Sequence, residues 1–175
     1  MNGSGNAWGS ATINFRSKNL PLRQQLSRNE MGITQTEFDF LMSQDKAFDD
    51  IISPVQLGPA RIQWTRQLNS ISTKEVFLLD FYRGSFEISK YTINKRYRQT
   101  VIMLRYDNGG RHTNPGGVLF EGAHVHLYRD GYNDKFAFPV SEIGVASSDS
   151  METVFKKILH FCNVKKFPTI EISMF

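Results

Sequence analysis

A single cysteine, Cys162, rules out an internal disulfide, and its place on the apolar face of an expected helix makes it a packing residue. No apolar run approaches the roughly 18 residues that a membrane-spanning helix needs. The N-terminus lacks the basic-then-apolar pattern of a secretory leader. A cytoplasmic protein is therefore expected. Also missing are a Walker loop, a dinucleotide-binding fingerprint, zinc-finger spacing and a Gly-x-Ser-x-Gly elbow. No internal repeat or second domain boundary is evident, and 175 residues suit one domain with one real core.

The net charge is only +4, but it is unevenly placed. From Arg83 to Arg111 seven basic residues face only Glu87 and Asp107, so this segment carries +5 and the remainder of the chain −1. A local basic patch beside aromatic residues suits a phosphate-bearing partner. It also suits a plain solvated strand face.

Residues 1–30 are rich in Gly, Ser, Asn and Gln without a sustained period, and read as a flexible tail. Thr34 and Glu37 have capping-box spacing. After them Phe38, Leu41, Met42, Phe48 and Ile52 form an imperfect helical stripe that Pro54 would end. From Val55 the period changes to that of strands. Arg61–Leu68 alternates, Glu75–Tyr82 is nearly continuous apolar apart from Asp80, and Phe86–Ile93 alternates after an Arg83-Gly84-Ser85 turn. Asp80 inside such a strand needs a partner, most simply a neighbouring arginine. Thr100–Tyr106 is the next strand, and Asp107-Asn108-Gly109-Gly110 reads as its end. Ala123–Arg129 and Lys135–Val140 are strands around a turn. A capped helix follows, with Val154, Phe155, Ile158, Leu159 and Cys162 inward, and Thr169–Met174 reads as a last strand docking on the sheet. These elements predict one α+β domain over residues 31–175, an antiparallel sheet of about six strands with one helix near each end.

The chemistry concentrates between Arg111 and Pro139, which holds three of the four histidines. Strand alternation puts His124, His126 and Tyr128 on one face. Paired imidazoles can act as general base and acid on a phosphodiester, and RNA supplies its own 2′-hydroxyl nucleophile, so no metal or cofactor is required. His124, His126, His112 and Tyr128 are the candidate catalytic residues. Lys95, Arg96, Arg98, Arg105, Arg111, Arg129 and Tyr132 are the candidate nucleic-acid contacts, the cations holding phosphate and Tyr132 stacking on a base. A second chemistry uses the two strand histidines as metal ligands, with His112 or Asp107 as the third, but a third ligand from a flexible loop makes this the weaker option. The bland alternative is that both histidines are half-buried and bonded to backbone or water.

From Phe77 to Pro139 the chain resembles a family of uncharacterised small prokaryotic proteins that share the runs read here as FLLDFYRG, RYDNGGRHTNPGG, HVHLYRDGY and FAFP. That resemblance implies a structural unit and no particular reaction. More distantly, Arg105-Tyr106-Asp107-Asn108 followed by histidines resembles small translation-blocking toxins of bacterial toxin–antitoxin pairs. The second resemblance implies ribonuclease-like action on RNA and an antitoxin partner. The functional expectation is a small, metal-independent RNA-acting protein of a toxin–antitoxin or mobile-element system, needing no cofactor and no membrane. The alternative is a non-catalytic inhibitor, such as an anti-CRISPR or other anti-defence protein, that engages nucleic acid or a nucleoprotein.

Overall fold

The computed structural model describes residues 32–58, 61–85 and 89–172. The expected tail, residues 1–30, and the expected beginning of the Phe86–Ile93 strand lie outside the described residues. In chain order the elements are helix α1 (Gln35–Ser43), strands β1 (Lys46–Phe48), β2 (Val55–Gln56), β3 (Ile62–Ser70), β4 (Val76–Arg83), β5 (Tyr91–Tyr97), β6 (Val101–Thr113), β7 (Leu119–Leu127) and β8 (Ala137–Pro139), a 3-10 turn (Val140–Ile143), helix α2 (Met151–Phe161), and strands β9 (Val164–Lys166) and β10 (Ile170–Glu171).

The predicted α+β architecture, six antiparallel strands with a helix near each end, is replaced by a mostly β fold. Eight strands in the order β8-β7-β6-β5-β4-β3-β1-β9 form one curled mixed sheet, a half-barrel, accompanied by two short helices. Its neighbours pair antiparallel except β1 and β9, which run parallel. The discrepancy has a physical origin. Strands β1 and β9 have three residues each, too short for alternation to register, and they form by pairing, β1 on the edge of β3 and β9 on β1.

The first helix shows the same effect. Thr34 caps it, its Oγ1 accepting from the Glu37 N–H at 3.1 Å, as the spacing predicts. It ends at Ser43 rather than near Pro54, because Lys46–Phe48 is drawn into pairing with β3 and β9. Phe48 is buried from a strand, and Ile52 is 90% exposed. The second helix is as expected: Ser150 accepts from the Thr153 N–H, and Val154, Phe155, Ile158 and Leu159 are buried along one stripe with Cys162 just beyond. The last strand, by contrast, pairs with β2 in a separate two-stranded sheet and does not dock on the main one.

One face of the main sheet is apolar and carries the core. Leu68, Phe77, Leu79, Phe81, Ile93, Met103, Leu104, Tyr106 and Val125 are almost fully buried there, and Trp64 bridges Phe81 and the α2 residue Phe155. Burial of that apolar area is the favourable term that drives folding. The opposite face is polar. Cross-strand pairing aligns Thr65, Asp80, Asn94, Arg105 and His126 in one row and Gln63, Tyr82, Thr92, Asp107 and His124 in the next. Strand β4, expected to be covered on both sides, instead alternates buried Phe77, Leu79 and Phe81 with more accessible Leu78, Asp80 and Tyr82. Asp80 has the arginine partner the sequence called for: Arg96 grips it with Nε and Nη2 at 2.5 and 2.7 Å, and Thr65 donates to it at 2.8 Å.

Candidate functional site

The site is made by a strand that does not stop where its sequence says it should. Asp107-Asn108-Gly109-Gly110 reads as a terminating turn, yet β6 runs on to Thr113. Gly109 and Gly110 have φ of 130° and 103°, which only glycine adopts without strain, and they form a bulge between Asn108 and Arg111 in the pairing with β7. A bulge bends its strand, and here it lets the β6–β7 hairpin curl back toward β8. The hairpin is fastened by the side-chain amide of Asn114, which donates to the Ala137 carbonyl at 2.9 Å and accepts from the Ala137 N–H at 2.7 Å. His112, on the same hairpin, meets the Lys135 carbonyl at 2.9 Å.

Three imidazoles converge as a result. The ring centre of His112 lies 4.5 Å from that of His126 and 5.9 Å from that of His124, and the two strand histidines are 5.0 Å apart. Each has one ring nitrogen against a backbone carbonyl. His124 Nδ1 is 2.9 Å from the Gly122 oxygen, and His126 Nδ1 is 2.8 Å from the Asp134 oxygen. A carbonyl only accepts, so these nitrogens carry a proton, and the Nε2 atoms of the two strand histidines are left for other partners. The Nε2 atoms of His124 and His126 lie 3.7 and 3.6 Å from Asp107 Oδ2. His126 is fully buried and His124 nearly so. Burial, then the nearby Arg105 guanidinium, pushes His126 down to about 4, so its ring is neutral at physiological pH.

Arg105 is the hub of the polar groups. Its Nε donates to Asp107 at 3.0 Å, Nη1 donates to Asp134, and Nη2 lies 2.9 Å from His126 Nε2. Thr92 donates to the second Asp107 oxygen at 2.8 Å. Thr92 also lines a cleft of about 910 Å³ at the adjoining end of β3, β4 and β5, walled by Arg61, Gln63, Tyr82, Arg83 and Lys90 as well. The histidine cluster and this cleft are thus linked through a single threonine.

The residues singled out from sequence fall into distinct groups. His112, His124 and His126 come together, with Arg105 and Asp107. Tyr128 does not join them. The strand ends at Leu127, and the Tyr128 ring stacks on Phe38 of α1 at 5.7 Å in the core, its hydroxyl bonded to the backbone of Ile33. Lys95 has no exposed surface and sits over the Phe77 ring on the apolar face, away from any nucleic acid that the surface could hold. Arg96 is committed to Asp80. Arg98 and Arg111 are largely exposed, with Glu37 and Glu121 beside them at 3.1 and 3.0 Å. Arg129 lies over Phe136 and Phe138, and half-exposed Tyr132 packs edge-on to Phe136. Sequence reasoning missed Arg61 and Tyr82 and did not single out Arg83 or Lys90, although the last two belong to the basic segment. The alternation that puts Gln63, Tyr82 and Thr92 on one face was readable, but the strand order that lines them up was not.

Residues 33–164 match DUF6978, a family of unknown function. The chain belongs to the DUF6978 family. The matched span runs from the residue that Tyr128 anchors to the first residue of β9, so seven of the eight strands of the curled sheet, both helices and the histidine cluster lie within it. No curated protein matches the chain. No solved structure matches it either. Among the described residues no helix is long and apolar enough to cross a membrane.

Proposed function

We propose that the protein acts on RNA, binding its phosphates in the cleft between Arg61, Arg83 and Lys90. The observation that carries this reading is the cleft itself, with three cationic side chains on its walls and the half-exposed Tyr82 ring beside them. Cations that hold phosphate and an aromatic face on which a base stacks are the two ingredients of single-strand recognition. Arg83 also donates to the Gly58 carbonyl at 2.6 Å, which orients its guanidinium at the rim. Arg98, Arg111 and Tyr132 are further surface contacts for a longer strand.

Fluorescence anisotropy with a labelled single-stranded RNA tests this directly. Affinity should fall with salt with a logarithmic slope of about −2, three phosphates each contributing roughly −0.7. Arg61→Ala and Lys90→Ala should each weaken binding and flatten the slope by about 0.7. Binding that ignores salt, or none at all, refutes the proposal.

A second reading, the ribonuclease-like toxin, is favoured by the convergence of three imidazoles beside Asp107. In it His124 and His126 exchange protons with the substrate, after the hairpin held by Asn114 lifts to admit it. That reading requires expression of the wild type to arrest growth and degrade RNA, and His124→Ala to abolish both. Retained RNA binding with intact RNA supports instead a non-catalytic inhibitor of the anti-defence kind.

A further inference from the structure

The polar face contains one constellation that RNA binding does not use. Asp107, His124 and His126 present three ligand atoms, one from each side chain, all within 4.8 Å of one another. We infer that these three residues form a binding site for a divalent transition-metal ion of the Zn²⁺ class, gated by Arg105.

Four features of the geometry lead there. The donor set, two imidazole nitrogens and one carboxylate oxygen, suits Zn²⁺ and its first-row neighbours and is unsuited to Mg²⁺ or Ca²⁺, which favour oxygen alone. Ligand atoms about 2.1 Å from a tetrahedral ion stand about 3.4 Å apart. The Nε2 atoms of His124 and His126 stand 3.7 and 3.6 Å from Asp107 Oδ2, so a few tenths of an ångström close those two edges, and the third spacing is within 4.8 Å. The ring protons already point the other way, onto the Gly122 and Asp134 carbonyls. Outer hydrogen bonds of that kind fix the tautomer and aim the bare nitrogen at a metal. Finally, all three ligands come from paired positions on two adjacent strands, with Asp107 directly opposite His124. A third ligand on a rigid strand removes the objection that it would have to come from a flexible loop.

Arg105 supplies the gate. Its guanidinium touches both Asp107 and His126, 3.0 and 2.9 Å away, and so places a cation beside the position an ion would take. It also reaches Asp134, a carboxylate outside the triad onto which it can withdraw. Metal entry is thus an exchange of one cation for another: the ion takes the carboxylate of Asp107 and the lone pair of His126, while Arg105 keeps Asp134. Three protein ligands leave a fourth position open, the arrangement that catalytic rather than structural zinc sites use. This inference does not rest on the cleft reading, since RNA binding can be measured in chelator.

The test is titration of the purified full chain with ZnCl₂ by calorimetry, and with CoCl₂ by visible absorption. Expected are one ion per chain and a cobalt ligand-field band of the kind nitrogen and oxygen ligands give. Asp107→Asn and His124→Ala should weaken binding by more than the about 10–100-fold that losing an outer hydrogen-bond partner costs. Arg105→Gln should bind tighter by at least about tenfold, because a like charge a few ångströms from the ion is gone. That gain stays readable even if the ligand variants fold poorly, as does a Zn²⁺-dependent rise in the melting temperature of the wild type that Mg²⁺ fails to produce. No cobalt band and no thermal shift overturn the proposal. So does binding that the ligand substitutions and Arg105→Gln all leave unchanged, since the ion would then sit elsewhere.

Discussion

Lys95→Met is expected to give a protein more stable than the wild type. Two lysines, Lys46 and Lys95, are fully buried on the apolar side of the sheet, both over the Phe77 ring at 5.1 and 4.5 Å. Their surroundings differ. The Lys46 ammonium donates to the carbonyls of Gln44, Cys162 and Met42 at 2.6, 3.1 and 3.2 Å, a complete set of acceptors. The Lys95 amine has the Met42 sulfur at 3.2 Å and the Lys46 side chain as its partners. Burial pushes both below their ordinary range, Lys46 to about 7. The carbonyls around Lys46 suit an ammonium, whereas the Lys95 amine lies in an apolar setting with no carbonyl partner among the described residues. Burying a polar group without good partners costs roughly 1–3 kcal/mol, and methionine matches the lysine stem in volume while avoiding that cost.

Urea unfolding should accordingly show a gain of about 1–3 kcal/mol for Lys95→Met. Lys46→Met should destabilise, because it strands three carbonyls. The wild type carries a pH signature as well. Between the lowered folded-state value of about 7 and the ordinary 10.5, the unfolded chain holds protons that the native chain does not. Stability therefore rises with pH across that window and falls toward its lower end. Lys95→Met should flatten the slope. A destabilised Lys95→Met would mean that the amine makes an interaction that the methionine cannot replace.

Tyr128→Phe should cost about 2–6 kcal/mol while leaving RNA affinity as it was. The hydroxyl accepts from the Ile33 N–H at 3.0 Å and donates to the Ile33 carbonyl, closing a two-point bond across 95 residues of chain. Phenylalanine keeps the stacking on Phe38 but leaves both backbone groups buried and unpaired. Each such group costs about 1–3 kcal/mol. Thermal denaturation reads the loss, and anisotropy on the same sample reads RNA binding. If the variant keeps its stability but loses its effect on RNA, the tyrosine works in the site after all, and the His-x-His-x-Tyr pattern was functional.

The expectation for Tyr128 shows where reading a strand from alternation runs out. A period of two puts positions 124, 126 and 128 on one face only while the strand lasts, and β7 ends at Leu127. Lys95 is a related case. Its charge suggested a surface role, whereas its even spacing with Tyr91, Ile93 and Tyr97 placed it on the buried face. In this protein the spacing outweighed the charge, because the long lysine stem and the Phe77 ring give the amine somewhere to lie. Asp107-Asn108-Gly109-Gly110 is the most instructive error. Two consecutive glycines are the local signature of a turn, but they serve equally for a bulge, and the choice between the two depends on whether a partner strand is waiting.

What the amino-acid sequence determined by itself was local: the Thr34 and Ser150 helix caps, the buried stripe of α2, the long strands β3, β4, β6 and β7 in outline, and the stretch in which the histidines lie. Each depends on residues within a turn or two of one another, where capping and periodicity act. Tertiary structure alone decided the short strands β1 and β9, which form by pairing in turn from the edge of β3. It also decided the burial of Lys46 and Lys95, the departure of Tyr128 from the site, and the cleft that joins Arg61 to Lys90. Above all it set Asp107 opposite His124, since cross-strand register is a property of two segments at once and is written in neither.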